Sequence, residues 1–167
     1  YYMLVDKSKV AAIGDSRPWI DESDIGTTEL IYYSARDGLK VPGLLSLPEG
    51  YDAETDGRIP TIILPHGGPW AQDRLTYDYW PQFLTSRGYA VLQPQYRGST
   101  GFGRELWFAG DKEWGQKMQD DKDDGAQYLV DQGIADLDKL APRYGDSTVT
   151  GQSSKHEGDC SCAVVDD

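Results

Sequence analysis

The sequence predicts an α/β protein in which an antiparallel start leads into a sheet with helices on both faces. Three observations point there. The run Leu30-Ile31-Tyr32-Tyr33 and the segment 39–47 flank Asp37-Gly38, a two-residue hairpin signal because glycine tolerates positive φ. Two short, nearly continuous apolar runs follow, Ile59-Pro60-Thr61-Ile62-Ile63-Leu64-Pro65 and Tyr89-Ala90-Val91-Leu92. Such runs suit strands buried on both faces of a parallel sheet. Helical patterns over 79–87 and 119–133 alternate with them.

In chain order, residues 1–5 and 10–13 are short apolar runs separated by the polar step Asp6-Lys7-Ser8-Lys9, which predicts a hairpin of two short strands. Alone, such a hairpin buries little. Ser16-Arg17-Pro18-Trp19-Ile20-Asp21 reads as a connector, since Pro18 breaks any regular ladder. The Asp37-Gly38 hairpin comes next, then a loop of turn formers from Pro48 to Gly57. The helix over 79–87 carries Phe83 and Leu84 and is closed by Gly88. Residues 97–103 form a glycine-rich loop. In the helix over 119–133, Ala126, Leu129, Val130 and Gly133 stand at i, i+3, i+4 and i+7. Asp120, Asp121, Asp123 and Asp124 fall in its first turns, where the helix dipole favours negative charge, and are expected to be solvated. A strand is expected after Gly133-Ile134-Ala135-Asp136. Residues 141–167 are rich in Ser, Asp and Gly and are expected to be irregular, with Pro142 and Arg143 spoiling any buried strand. Trp70, Trp80, Trp107 and Trp114 are expected in the core or lining a cleft.

Composition sets the broad class. The 167 residues suffice for about one domain. Acidic residues number 28 and basic ones 16, a net charge of −12, which argues against nucleic acid and against anionic lipid as partners. No apolar run approaches the ~20 residues of a membrane-spanning helix. The start, Tyr1-Tyr2-Met3-Leu4-Val5-Asp6, lacks the basic and apolar regions of a signal peptide, and a cytoplasmic location is expected. Hydrophobic residues make up 38% and aromatics 11%, too apolar for a disordered chain. Cys160 and Cys162 are the only cysteines, so a disulfide-stapled fold is excluded, and two ligands without a partner pair make no zinc site. The aspartates at 120–124 lack the ligand spacing of a calcium loop. No metal and no cofactor are expected.

The sharpest motif is His66-Gly67-Gly68-Pro69, directly after the buried strand ending at Pro65. A reaction that passes through a tetrahedral oxyanion needs backbone N–H donors held at a strand end, and adjacent glycines allow that approach. A plain Gly-Gly turn closed by proline is the alternative. A second motif, Gln95-Tyr96-Arg97-Gly98-Ser99-Thr100-Gly101-Phe102-Gly103, contains part of a dinucleotide loop. The full fingerprint needs a third glycine where Leu106 stands, so an ordered loop over a substrate cleft is the better reading.

Five segments extend these motifs in one order: Ala35-Arg36-Asp37-Gly38, Leu64-Pro65-His66-Gly67-Gly68-Pro69-Trp70, the stretch from Phe83 to Pro94, Tyr96-Arg97-Gly98-Ser99-Thr100-Gly101-Phe102-Gly103, and Met118-Gln119-Asp120-Asp121. Together they make residues 28–140 resemble the N-terminal part of the catalytic domain of the prolyl oligopeptidase family of serine peptidases, in its acylaminoacyl-peptidase-like branch. The resemblance implies an α/β-hydrolase sheet, incomplete in a truncated chain, preceded by a hairpin similar to the end of a β-propeller. It divides the chain into a propeller end and connector, 1–27, and a peptidase-domain part, 28–167. It implies a peptide substrate, with a carboxylester hydrolase on the same fold or a non-catalytic remnant as alternatives. Oligomeric state is not readable.

The family uses a Ser–Asp–His triad in which a base takes the serine proton and a carboxylate orients the base. Its serine sits in a G-x-S-x-G elbow. Gly145-Asp146-Ser147 matches the first half of that elbow, but Val149 replaces the second glycine. Ser147 is the candidate nucleophile position, and Ser153 in Gly151-Gln152-Ser153 is a second candidate. The family's acid and base lie downstream of where this chain stops. His156 is poorly placed as a base, and His66 is read as ordering the oxyanion loop by hydrogen bonding. Cys162-Ala163-Val164 is read as a further core strand. The isolated chain is therefore expected to show little or no triad-dependent hydrolysis.

Overall fold

The computed structural model describes residues 2–6, 9–14, 17–68 and 70–142. Strands β1 (Tyr2–Asp6) and β2 (Lys9–Ala12) form the expected antiparallel hairpin, with Leu4 opposite Val10. The main sheet has five described strands in the order β3-β4-β6-β5-β7. β3 (Thr27–Ser34) and β4 (Lys40–Leu47) pair antiparallel over eight residues each. β5 (Ile59–Ile63) runs parallel to both of its neighbours, β6 (Ala90–Pro94) and β7 (Ala135–Pro142). β6 is buried at every residue, which is why its sequence is apolar without alternation.

The turn between β3 and β4 corrects the expected two-residue loop. The Gly38 N–H donates to Ala35 O and the Ala35 N–H to Leu39 O, both at 2.8 Å, so the loop is Arg36-Asp37-Gly38. Gly38 takes the positive φ, +87°, that ends a three-residue hairpin loop. The loop from Pro48 to Gly57 contains an unexpected short helix, α1 (Ala53–Asp56). The Asp52 carboxylate accepts from the Glu54 N–H at 2.8 Å, and Asp56 accepts from the Asp52 N–H at 2.9 Å, a reciprocal cap.

Helix α2 (Tyr79–Thr85) is capped by Asp78 and stops before Gly88, whose φ of +85° turns the chain into β6. Helix α3 (Arg104–Phe108) follows the glycine-rich loop and was not legible as a helix. Helix α4 (Lys117–Asp131) packs Ala126 and Leu129 against Tyr33, Val41, Leu45, Ile63 and Leu92. Leu129 is fully buried, worth roughly 1.5–3 kcal/mol. A Cβ on Gly125 would stand 2.9 Å from the Tyr33 ring, so glycine sets how closely α4 approaches the sheet. α2 covers the opposite face. Gln82 donates to Thr28 Oγ1 at 3.3 Å, and Thr28 meets Ser46 at 2.8 Å. Thr28 and Ser46 alternate in the strands with Tyr33 and Leu45, so the two helices lie on opposite faces.

Two further expectations change. β7 continues through Ala141 to Pro142, which pairs opposite Ile63. β7 is the outer strand of the described sheet, where a proline is tolerated. The four tryptophans are not core. Trp70 is 61% exposed and Trp114 58%, and they meet edge to face at 6.1 Å, while Trp80 and Trp107 are also exposed. No helix among the described residues is long and apolar enough to cross a membrane.

Candidate functional site

Parallel strands put their carboxyl ends on one edge of the sheet, and β5 and β6 both end beside the site. The Leu64 N–H makes the last bond of the ladder, to Leu92 O at 2.8 Å, before the chain turns into His66-Gly67-Gly68. β6 runs on into Gln95-Tyr96-Arg97-Gly98-Ser99, all buried. The His66 ring stacks on Tyr96, with centroids 4.6 Å apart at 20°. Its Nε2 lies 2.8 Å from Ser99 Oγ, and its Nδ1 lies 3.1 Å from Gly67 O. The Ser99 hydroxyl donates to Tyr96 O at 2.6 Å. The Tyr96 hydroxyl donates to His66 O at 2.9 Å and also touches Gly68 O. Gly68 holds φ at +67°, a conformation that glycine adopts without strain. Both glycines are exposed, and among the described residues neither of their N–H groups has a hydrogen-bond partner.

Beneath this loop lies a charge cluster. The Arg97 guanidinium, 4% exposed, binds Asp121 through Nε at 2.9 Å and Nη2 at 2.7 Å. It binds Asp37 through Nη1 at 2.9 Å and Nη2 at 3.0 Å. The Arg97 N–H also donates to Asp121, at 2.8 Å. One arginine thus joins the β3–β4 turn, the bend after β6 and the first turns of α4. The hydrogen bonds from Arg97 hold the Asp37 carboxyl well below the usual carboxylate range, and those to Asp121 raise Arg97 itself. Asp121 is 0% exposed, which overturns the expectation that all four helix-start aspartates are solvated. The other side of the turn is tied by Arg36, which reaches Asp124 at 2.8 Å and Asp120 at 3.0 Å.

Burial depresses the His66 pKa below its ordinary 6.5, with Lys122 adding a smaller push in the same direction. Lys122 Nζ stands 4.6 Å above the Tyr96 ring centroid. Burial, with Asp73 nearby, pushes the Tyr96 hydroxyl up to about 12, so it stays a donor at neutral pH. Asp73 is pushed up to about 6 by burial and then by Asp78. The Asp73 N–H donates to Gln95 Oε1 at 3.1 Å.

Of the site residues expected from the sequence, His66, Gly67 and Gly68 come together in this loop. Pro69, Ser147, Ser153, His156, Cys160 and Cys162 lie outside the described residues. Among the described residues no group of three His, Cys, Asp or Glu side chains could hold a metal ion. Sequence reasoning missed Tyr96, Ser99 and the Arg97–Asp121 pair as parts of one assembly. A signal for Asp121 was present. Met118, Asp121, Gly125 and Leu129 fall on one helical stripe and are all buried. Nothing local in the sequence marks Tyr96 and Ser99 as partners of His66.

Comparison with known proteins agrees with this geometry. Residues 75–147 match the prolyl oligopeptidase family. The chain is 38% identical over 160 residues to dipeptidyl aminopeptidase BIII of Pseudoxanthomonas mexicana, covering 90% of this chain and 23% of that protein. It is 30% identical over 128 residues to the acylamino-acid-releasing enzyme of Sus scrofa, covering 77% of this chain and 16% of that enzyme. The chain thus spans less than a quarter of the length of these relatives. The crystal structure of puromycin hydrolase superposes with a TM-score of 0.70 at 26% identity, over 80% of this chain and 21% of that one. The family match, these relatives and this structural neighbour together make the chain a member of the prolyl oligopeptidase family, carrying part of an α/β-hydrolase sheet.

Proposed function

We propose that this chain supplies the oxyanion side of a serine-peptidase site that hydrolyses peptide bonds by acyl transfer. The observation that carries the reading is the pair of N–H groups on Gly67 and Gly68 without a partner among the described residues, at the carboxyl end of a central parallel strand. When a serine hydroxyl attacks a peptide carbonyl, the oxygen gains a full negative charge. Donors already aimed at that charge need no reorganisation as it forms, and losing one such donor costs about 10²–10³ in rate. His66 is no candidate for the general base in this reading, because both ring nitrogens already face Ser99 Oγ and Gly67 O.

Ser147 remains the proposed nucleophile position. Support comes from register, since Pro142, the last residue of β7, stands opposite Ile63, at the edge where β5 gives way to the His66 loop. Residue 147 lies five positions beyond 142, a reach of at most ~18 Å. The substrate is proposed to be a peptide, in line with the names of the aminopeptidase and acylamino-acid-releasing relatives.

The test is a graft. Residues 28–140 of this chain replace the matching segment of dipeptidyl aminopeptidase BIII, and hydrolysis of a peptide substrate is measured. Retained hydrolysis is the expected result. A graft that folds and binds substrate but shows no turnover would overturn the reading.

A further inference from the structure

In a trans peptide the C=O and the following N–H point in opposite directions, and the described residues contain no cis peptide. The direction of each glycine N–H is therefore set by whatever holds the carbonyl before it. The Tyr96 hydroxyl shares its one proton between His66 O, at 2.9 Å, and Gly68 O, and so holds both carbonyls on the buried side of the loop. The Gly67 N–H must then point away from Tyr96, toward the open side, where it has no partner among the described residues. Gly67 itself leaves this choice open, since a Cβ there would meet nothing within 4 Å. Neither packing around Gly67 nor a bond to its own N–H sets that direction.

We propose that Tyr96 is a positioning residue whose hydroxyl, by holding the His66 carbonyl inward, aims the Gly67 N–H at the reacting carbonyl oxygen. The role deepens the serine-peptidase reading and its catalytic half rests on it. The Tyr96 ring is itself anchored, by stacking with His66 and by its place next to Arg97, which two carboxylates clamp. Replacing tyrosine by phenylalanine keeps the ring stacking and removes the hydroxyl with its contacts to His66 O and Gly68 O.

The test is nuclear magnetic resonance on the ¹³C,¹⁵N-labelled chain, which needs no catalysis. In the wild type the exposed, unpartnered Gly67 N–H is expected to have a rigid order parameter near 0.85, and the His66 carbonyl ¹³C signal the downfield shift of a hydrogen-bonded acceptor. In Tyr96→Phe the downfield shift is expected to be lost and the order parameter to fall below about 0.6. Ser99→Ala, which removes the contacts to His66 Nε2 and to Tyr96 O but keeps the Tyr96 hydroxyl, is expected to move the ring ¹⁵N signals and leave the Gly67 order parameter in place. A wild-type value already below about 0.6, or a Tyr96→Phe spectrum with both signals unchanged, overturns the proposal. The same substitution in the graft is expected to lower kcat roughly tenfold to a hundredfold with KM unchanged. If the resonance changes occur and kcat does not move, the orientation by Tyr96 stands and the oxyanion role of Gly67 falls.

Discussion

Arg97 and Asp121 face each other through two side-by-side hydrogen bonds, Nε to Oδ2 at 2.9 Å and Nη2 to Oδ1 at 2.7 Å, with 4% and 0% of their side chains exposed. Removing the arginine would leave a carboxylate uncompensated in the interior, which costs more than the pair contributes relative to an apolar substitute. Arg97→Met is expected to destabilise the chain by about 3–5 kcal/mol in urea unfolding. Arg97→Lys should recover only part of this, because an ammonium cannot grip two carboxylates by paired donors. Asp37 is 35% exposed, and Asp37→Asn should cost less than about 1 kcal/mol. A loss below about 1 kcal/mol for Arg97→Met would show that the clamp does not hold the fold.

The buried groups around the loop make stability depend on pH in two opposing ways. His66 binds its proton less tightly when folded, so its contribution is present above 6.5 and lost as pH falls through the lower folded value. Asp73 binds its proton more tightly when folded. Its contribution is full below the ordinary 3.8 and lost as pH rises through about 6. The stability difference between Asp73→Asn and wild type should therefore shift in favour of the variant between pH 4 and pH 7. Urea titrations at the two pH values measure it, and a difference that does not change with pH would refute the burial of a charged Asp73.

Three glycines should rank in a fixed order when changed to alanine. At Gly110 a Cβ would lie 2.6 Å from Gly98 Cα, backbone against backbone, and the loss should reach about 1–3 kcal/mol or more. At Gly68 the space is open but φ is +67°, and a loss of about 1–2 kcal/mol is expected. At Gly67 neither restriction applies, and the change should stay within about 0.5 kcal/mol. Thermal unfolding of the three variants decides, and a Gly67→Ala loss equal to that of Gly110→Ala would contradict the loop geometry.

With no acid and base assigned in this chain, its reaction with a fluorophosphonate probe should be slight. Mass spectrometry of the labelled protein measures it. Stoichiometric labelling of Ser147, abolished by Ser147→Ala, would show that a working triad exists within the 167 residues.

The strands and the main helices were legible because their signals are local. Continuous apolar runs mark β5 and β6, helical spacing marks α4, and Asp37-Gly38 marks a turn even though the loop has three residues rather than two. His66-Gly67-Gly68 was legible for the same reason, since glycine pairs at a strand end announce themselves in a short window. Helix α1 escaped because its reciprocal Asp52–Asp56 cap looks like loop composition, and of the two places expected for the tryptophans their exposure rules out the core, because aromatic type does not reveal which side of an element faces water.

By itself the sequence determined the class of fold, the position of the loop between β5 and α2, and the family. Only the tertiary structure decided that Tyr96 and Ser99 would seat His66, that Asp121 would be buried against Arg97, and that the two glycines would stand exposed. Those facts depend on two parallel strands ending side by side and on a helix placed close by Gly125. Contacts between residues some 25 to 90 positions apart follow from how elements pack, and no short stretch of sequence encodes them.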